Sequence, residues 1–186
     1  MSPVSEDVWN ALRARGWRVG PHDAAVEIVA FMDYDCPFSR ELETAFRETR
    51  ERYSSQVAII YRHYPRTSQS PGAFPEAVIV ECAAQMLSFS GVQDRLFENS
   101  VEGAATASEV WAQMEFPENR DLIACLSDSN TVERIEEDRA LMQSLGIYHV
   151  PSVFFQGQEL GFTPGPDELM VLIEGEVNGV GRWVSR

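Results

Sequence analysis

Lysine is absent from this chain of 186 residues, so its basic side chains are all arginines. The absence excludes Schiff-base catalysis by lysine and a phosphate-binding loop built around a lysine. The formal net charge of -14 argues against a polyanionic partner such as nucleic acid or an anionic membrane surface. No apolar run approaches the roughly 18 residues of a membrane-spanning helix. We therefore expect no nucleic-acid partner and no membrane partner.

Cysteine and histidine are scarce, with 3 residues of each type. An odd number of cysteines cannot close into a complete disulfide framework, and neither residue type shows metal-ligand spacing. The first residues, MSPVSEDVW, carry two acids and no basic residue, so they do not resemble a signal peptide. Reduced cysteines without such a signal predict a cytoplasmic protein. The absence of metal-ligand spacing predicts that it holds no metal.

The first third of the chain has the pattern of a β-α-β unit. Ser5–Arg15 has apolar residues at helical spacing, and glycine and proline residues then begin a loop. Val26–Met32 is a largely apolar run, typical of a buried central strand. Pro37 suits the first turn of the next helix, and Gln56–Tyr61 is a second strand. Strands joined in this way run parallel, with a right-handed crossover.

The rest of the chain is a helical block followed by a β-β-α segment. Glycine and proline breaks divide residues 70–145 into five candidate helices: Glu76–Leu87, Val92–Asn99, Thr106–Met114, Asp121–Leu126 and Thr131–Leu145. The final segment comprises a strand, a turn, a returning strand and a helix: Pro151–Gln156, Gly157-Gln158, Glu159–Phe162 and Pro166–Gly175. This order predicts an α/β protein with helices on both faces of a sheet.

One thiol lies where a helix would activate it. Asp33-Tyr34-Asp35 follows the first strand, and Cys36-Pro37-Phe38-Ser39 opens the helix after it. The N–H groups of the first helical turn and the positive end of the helix dipole stabilise a thiolate at such a position. A carboxylate close to the sulfur has the opposite effect. The balance depends on whether the two aspartates point to solvent, which the sequence leaves open.

Four strings follow one another in a distinctive order along residues 20–175: Gly20–Ala24 leading into VEIVAFMDYDCPF, then Tyr61–Pro65, Cys125–Ser129 and Leu145–Phe155. Together they resemble the DsbA-like branch of the thioredoxin fold. The resemblance implies a thioredoxin fold, with β-α-β and β-β-α halves, a central mixed sheet and an inserted helical subdomain. The implied segments are an N-terminal extension (1–19), the first half (20–69), the helical subdomain (70–145) and the second half with the tail (146–186).

The resemblance also implies a thiol–disulfide oxidoreductase whose nucleophile is Cys36. Ser39 stands where a dithiol member of the family has its second cysteine, so the tetrad holds one sulfur. The serine hydroxyl, one helical turn along, can donate to the Cys36 thiolate. The alternative for Cys36 is a buried structural thiol. The alternatives for Ser39 are a solvated serine on the helix surface and an engineered replacement of cysteine.

Substrate binding is expected at two places. Pro37 and Phe38 lie beside the thiol in the sequence, and the loop His149-Val150-Pro151 precedes the third predicted strand. By the resemblance, Pro151 follows a cis peptide bond and leaves the Val150 backbone able to pair with an extended substrate segment. The alternative is a trans proline that begins an ordinary strand.

The remaining histidines and cysteines are assigned simpler roles. His149 either approaches the thiolate or is a polar surface residue, and the second is the commoner case. His22 and His63 are expected to be structural or exposed. Cys82 and Cys125 lie on apolar helical stretches, where packing is the default. Pairing of these cysteines, or resolution of a Cys36 adduct by one of them, requires Cα atoms within about 7 Å.

The resulting prediction is a monothiol thiol–disulfide oxidoreductase that forms a mixed disulfide at Cys36. Its partner is a disulfide-containing protein or a small-thiol disulfide. An external thiol such as glutathione then resolves the intermediate, and no other cofactor is expected. One alternative is a catalytically degenerate thioredoxin-like module that binds peptides or a partner protein. Another is a dithiol enzyme with an engineered serine at position 39. The sequence does not predict the oligomeric state.

Overall fold

A computed structural model of the protein describes residues 3–87, 89–99 and 119–179, without the side chains of residues 97–99, 119 and 120. The chain divides into two units. The first comprises Met1–Met32, Phe38–Arg62 and His149–Arg186, and the second comprises Asp33–Pro37 and His63–Tyr148. The predicted division lies at residues 69 and 145. The second unit also takes in the short segment that contains Cys36.

A mixed sheet of five strands forms the centre of the first unit. The strands are β1 (Trp17–Val19), β2 (Val26–Met32), β3 (Val57–His63), β4 (Ser152–Phe155) and β5 (Gln158–Glu159). Their order across the sheet is β1-β3-β2-β4-β5. β1 pairs antiparallel with β3, β4 with β2, and β5 with β4. The predicted thioredoxin fold, with β-α-β and β-β-α halves, is confirmed.

Seven helices have described bounds: α1 (Glu6–Ala14), α2 (Pro37–Arg52), α3 (Ala73–Met86), α4 (Phe89–Asn99), α5 (Asn119–Leu126), α6 (Ser129–Ser144) and α7 (Pro166–Val177). α1 begins after Ser5, whose hydroxyl accepts the Val8 N–H, as expected for an N-cap. α2 and α7 bury their apolar faces in the core of the first unit.

The core of the first unit consists of apolar strands and aromatic pairs. All seven residues of β3 are buried, and so are six of the seven in β2. Phe31 of β2 meets Phe154 of β4 edge-on, with ring centroids 6.2 Å apart. Phe46 of α2 makes the same kind of contact with Tyr61 of β3 at 5.7 Å. The first pair adds to the burial of apolar area within the sheet, and the second adds to the burial that holds α2 on the sheet.

The second unit is a helical block organised around α3. This helix contacts α4, α5 and α6. A disulfide joins Cys82 of α3 to Cys125 of α5, with Cα atoms 5.7 Å apart. The expectation that these two cysteines are reduced and simply packed is therefore wrong. Their apolar surroundings indicated burial correctly, but the two helices also bring the sulfurs together.

Several boundaries differ from the predictions. The segment Trp17–Val19, predicted as a loop, is the short edge strand β1. The predicted turn at Gly157-Gln158 lies one residue earlier, because Gln156 and Gly157 have φ values of 48° and 80°. Two consecutive positive φ values are typical of a type I′ hairpin turn. The helix predicted at Thr106–Met114 lies outside the described residues.

Candidate active-site turn and its surroundings

The turn between β2 and α2 carries Cys36. A hydrogen bond of 3.0 Å from the Cys36 N–H to the Asp33 carbonyl closes this turn. Cys36 is the residue immediately before α2, at the end of the helix where N–H groups lack intrahelical partners. It is present as a thiol and is 1% exposed. That burial is what the structural alternative for Cys36 predicts, so a reaction at the sulfur has to begin with its exposure.

The two carboxylates near the thiol in sequence have different surroundings. Asp33 is buried, and its Oδ2 accepts the Arg66 backbone N–H at 3.0 Å and lies 3.4 Å from Arg66 Nε. Its Oδ1 accepts the Asp35 N–H at 3.0 Å. Asp35 itself is exposed, and the Ser70 hydroxyl donates to its carboxylate. One charge is thus balanced by a guanidinium group and the other faces solvent, so both oppose a thiolate less than an isolated buried carboxylate would.

The first turn of α2 exposes an aromatic side chain and buries a hydroxyl. Pro37 begins the helix and is exposed. Phe38 is 58% exposed, an unusual degree for a phenylalanine. Ser39 is fully buried, so the alternative of a solvated surface serine is wrong. The helix turns this position inward, which the tetrad alone does not indicate.

The loop before β4 contains a cis peptide bond between Val150 and Pro151. The trans alternative is therefore wrong. Val150 is 7% exposed, and Pro151 is also buried. The side chain of His149 is 57% exposed and lies 3.6 Å from Glu159. Its carbonyl accepts the Ser152 hydroxyl at 2.7 Å. His149 is thus a surface residue near a carboxylate.

A buried hydrogen-bonded cluster in the second unit was not predicted. His63 is 3% exposed, with Nδ1 3.2 Å from the Tyr34 hydroxyl and Nε2 3.1 Å from Glu81 Oε2. Arg134 Nη1 lies 3.0 Å from the other oxygen of Glu81. The prediction that His63 is structural or exposed did not identify these partners. The one available signal was Glu81, a single acid in the apolar run AVIVECAA of α3.

A threonine side chain contacts both cysteines of the disulfide in the second unit. Thr131 Oγ1 lies 3.5 Å from Cys125 Sγ and donates to the Cys125 carbonyl at 3.1 Å. Cys82 is fully buried, whereas Cys125 is half-buried. Among the described residues, no cluster of three or more histidine, cysteine, aspartate or glutamate side chains could hold a metal ion.

A family model described as thioredoxin matches residues 14–175, which is most of the chain. The chain belongs to the thioredoxin family. The DsbA-like resemblance rests on the four strings along residues 20–175, and several solved structures are similar to this thioredoxin-family protein over most of their length.

Three of these structures are similar in fold. A thioredoxin-like oxidoreductase from Silicibacter pomeroyi has a TM-score of 0.77 and 17% identity, with 94% of this chain and 99% of that chain covered. Oxidised BdbD from Bacillus subtilis has a TM-score of 0.74 and 18% identity, with 96% and 97% covered. A periplasmic thioredoxin-like protein from Salmonella enterica serovar Typhimurium has a TM-score of 0.70 and 15% identity, with 95% and 99% covered.

The curated relatives of this thioredoxin-family protein are sodium/proton antiporters. NhaA 3 of Salinispora tropica is 35% identical over 83 residues, which cover 45% of this chain and 13% of the antiporter. NhaA 1 of Mycolicibacterium vanbaalenii is 24% identical over 140 residues, which cover 74% and 23%. The chain thus spans less than a quarter of either antiporter. No helix within the described ranges is long and apolar enough to span a membrane.

Proposed function

We propose that this protein is a thiol–disulfide oxidoreductase that works with one thiol, Cys36. The observation that supports it most is the distribution of the 3 cysteines. Two of them form a disulfide, and the third is a thiol directly before a helix, in the position where thioredoxin-family enzymes carry their nucleophile. Because Ser39 follows in place of a second cysteine, the tetrad offers no thiol to resolve an adduct.

The reaction proceeds by two exchanges. In the first, the Cys36 thiolate attacks one sulfur of a disulfide R–S–S–R′, a Cys36–S–S–R bond forms and R′–S⁻ leaves. In the second, an external thiolate such as that of glutathione attacks the R sulfur, which releases Cys36 as a thiolate and the new disulfide of R with glutathione. When R is itself glutathionyl, the products are a reduced protein thiol and glutathione disulfide. The external thiol supplies the electrons.

The surroundings of the turn support this chemistry. The N–H groups at the start of α2 favour a negative sulfur, as at other helix N-termini. Arg66 balances the buried Asp33 carboxylate, and Asp35 faces solvent. Ser39, one helical turn from Cys36 in the sequence, is proposed to donate its hydroxyl proton to the thiolate.

The substrate contacts that we propose keep those implied by the resemblance. Phe38, which is 58% exposed, and the neighbouring Pro37 offer an apolar surface to a protein substrate. The Val150 backbone, before the cis bond to Pro151, pairs with an extended segment of that substrate. His149, on the surface, lies at the margin of this contact.

An oxidising compartment suits the protein better than the cytoplasm. The cytoplasmic prediction assumed reduced cysteines, and the Cys82–Cys125 disulfide removes that assumption. Structural disulfides persist in secreted and periplasmic proteins and are rare in the cytosol. The fold neighbour from Salmonella enterica serovar Typhimurium is described as periplasmic, which agrees with this assignment.

The decisive experiment measures turnover of a glutathionylated peptide by reduced glutathione, with mass spectrometry of the protein during the reaction. We expect a glutathione adduct on Cys36 that appears and decays, and no turnover by Cys36→Ala. The matched control is Cys82→Ala/Cys125→Ala, which removes two sulfurs and keeps Cys36, and it is expected to retain turnover. Full turnover by Cys36→Ala would refute the proposal.

One observation favours a second function, that of a thioredoxin-like module which binds peptides without catalysis. Cys36 is 1% exposed, while the aromatic side chains of Phe38 and Tyr148 are 58% and 68% exposed. Aromatic side chains are enriched in protein interfaces relative to the rest of the surface. If Cys36 resists alkylation at every pH in the native protein and forms no adduct, this second function replaces the first.

A further inference from the structure

The side chain of His63 links the active-site turn to the helices of the second unit. Its Nε2 lies 3.1 Å from Glu81 Oε2 on α3, and its Nδ1 lies 3.2 Å from the hydroxyl of Tyr34, a residue of the turn. The imidazole and the carboxylate side chains are only 4% and 2% exposed. A buried polar chain of this kind is stable only when each of its members has a partner.

The partners determine the direction of the hydrogen bonds. A carboxylate only accepts, so the proton of a neutral His63 is on Nε2 and is donated to Glu81. Nδ1 is then an acceptor and receives the Tyr34 O–H. When the imidazole is protonated, both nitrogens donate, and the Tyr34 oxygen has to accept instead. A single protonation at His63 therefore reverses the hydrogen bond at the turn.

Charged groups from two helices face His63. Glu81 on α3 accepts from its ring, and Arg134 on α6 lies 3.0 Å from the second oxygen of Glu81. Asp138, also on α6, accepts the backbone N–H of His63 at 2.8 Å. Together with Tyr34 of the turn, these groups fix both the ring and the backbone of His63. The position of His63 is thus fixed, and its hydrogen bond with Tyr34 fixes the turn to it.

Tyr34 connects His63 to the thiol of Cys36. It lies inside the turn closed by the bond between the Cys36 N–H and the Asp33 carbonyl, two residues before the sulfur. Tyr34 is 7% exposed, and its ring lies 5.8 Å from the imidazole, centroid to centroid. A change in the hydrogen bond of Tyr34 therefore acts within the segment that sets the position of Cys36.

We propose that His63 is a positioning residue for Cys36, which acts through Tyr34: it holds the turn that presents the thiol, and its protonation alters how readily that thiol reacts. This inference rests on the proposed function for its biological meaning, since Cys36 is the reacting group in both. It goes beyond the proposed function because it gives the hydrogen-bonded residues Tyr34, His63 and Glu81 a role in the reactivity of Cys36.

The test follows alkylation of Cys36 by iodoacetamide in the intact protein from about pH 5 to about pH 9, where imidazoles and thiols titrate. The wild-type rate is expected to require two ionisations to describe it. His63→Gln, which cannot titrate, and Tyr34→Phe, which lacks the hydroxyl, are each expected to require one. Loss of one hydrogen bond is expected to change the rate by about fivefold. The double variant is expected to match the single variants, because the three residues act in series.

Two matched controls separate this effect from general damage. His22→Gln replaces an exposed histidine, and Tyr53→Phe removes a hydroxyl that donates to Glu174 at 2.9 Å, in the first unit. Both are expected to keep the wild-type profile. A folded His63→Gln protein with the same two-ionisation profile as wild type would overturn the inference. If that variant does not fold, Tyr34→Phe, which keeps its ring, decides the question by the same criterion.

A second readout keeps this inference separate from the proposed function. The ¹³Cβ chemical shift of Cys36 follows the same ionisations even if the buried sulfur alkylates too slowly to measure. A wild-type protein that shows both ionisations but no turnover of glutathionylated peptide keeps the inference and loses the proposed function. A wild-type protein that turns over the peptide but shows only one ionisation keeps the proposed function and loses this inference.

Discussion

Asp33 organises the reactive turn through both of its carboxylate oxygens. One oxygen accepts from Asp35 within the turn and the other from Arg66, which follows β3. A buried carboxylate is costly unless it is paired and hydrogen-bonded, and at 2% exposure Asp33 depends on these donors. Arg66 therefore balances the charge that would otherwise disfavour a thiolate, and its backbone attaches the turn to the loop after β3.

Ser39→Cys should convert the site to a dithiol. Residues three apart on a helix have Cβ atoms about 5–6 Å apart, whereas a disulfide needs about 3.5–4.5 Å, so a small adjustment of the turn lets the introduced cysteine pair with Cys36. A mixed disulfide formed at Cys36 in this variant is then resolved internally. We expect its lifetime without glutathione to fall at least about tenfold, because the second thiol attacks within the molecule. Mass spectrometry of the trapped adduct over time measures this.

Ser39→Ala is the control for that experiment, since it changes the same buried position and adds no thiol. Its adduct should persist until glutathione is added. An equally short-lived adduct in both variants would mean that a route other than position 39 resolves it.

The position of the thiol could be predicted because the residues that indicate it are neighbours in the sequence. The residues that support the thiol could not be predicted, because they lie far from it in the sequence. Cys36, Pro37 and the preceding strand lie together in the chain, so the helix start could be recognised from spacing. Arg66 is 33 residues from Asp33, and Glu81 is 18 residues from His63. Contacts over such separations depend on where the chain returns, which no periodicity indicates.

At the level of elements, Glu27 of β2 forms ion pairs with both α1 and β1. Arg13 of α1 and Arg18 of β1 both form ion pairs with its carboxylate. Burial alone would raise the pKa of Glu27, but the hydrogen bonds and positive charges of Arg18 and Arg13 lower it overall. A carboxylate with a lowered pKa stabilises the folded state at neutral pH, and this stabilisation is lost as the pH falls through the folded-state pKa.

Glu27→Gln should therefore lower the free energy of unfolding at neutral pH by about 0.5–1 kcal/mol, a magnitude reduced by solvent screening of the arginines. The difference from wild type should shrink in acid, because the wild-type carboxylate is then protonated as well. Urea unfolding at several pH values measures it. Glu136→Gln, which removes an exposed ion pair with Arg139 within α6, is the control and should have little effect. A Glu27→Gln deficit that does not vary with pH would contradict this origin.

The elements themselves were largely predictable. The apolar run Val26–Met32 is strand β2 from end to end, because nearly every residue of a central strand is buried. The edge strand β1 was missed because its three residues are all half-buried and show no alternation. They form a strand through pairing with β3, from Trp17 opposite Tyr61 to Val19 opposite Ile59.

For the whole molecule, the disulfide is the feature that sequence reasoning ranked too low. Cys82 and Cys125 lie on different helices, 43 residues apart, and apolar surroundings indicate burial without indicating a partner. Only the packing of α5 against α3 decides between a buried thiol and a bond. That outcome changes the inferred compartment as well as the count of reactive sulfurs.

The oxidised protein should react with one equivalent of a thiol reagent under denaturing conditions, and with three after reduction, because two of its 3 cysteines are bonded. Tryptic mapping should locate the first label on Cys36 and a cross-linked peptide pair at Cys82 and Cys125. Three labels before any reduction, in protein isolated from an oxidising compartment, would contradict the pairing.

The same bond has a topological consequence for cleavage of the chain. Cys82 and Cys125 enclose a loop of backbone, since 43 positions separate them. One protease cut between them divides the chain without separating its pieces, and the protein then migrates as a single species until a reductant is added. Cuts outside the loop release a fragment without reductant. Comparing denaturing gels with and without reductant therefore shows whether each cleavage site lies between Cys82 and Cys125 or outside them.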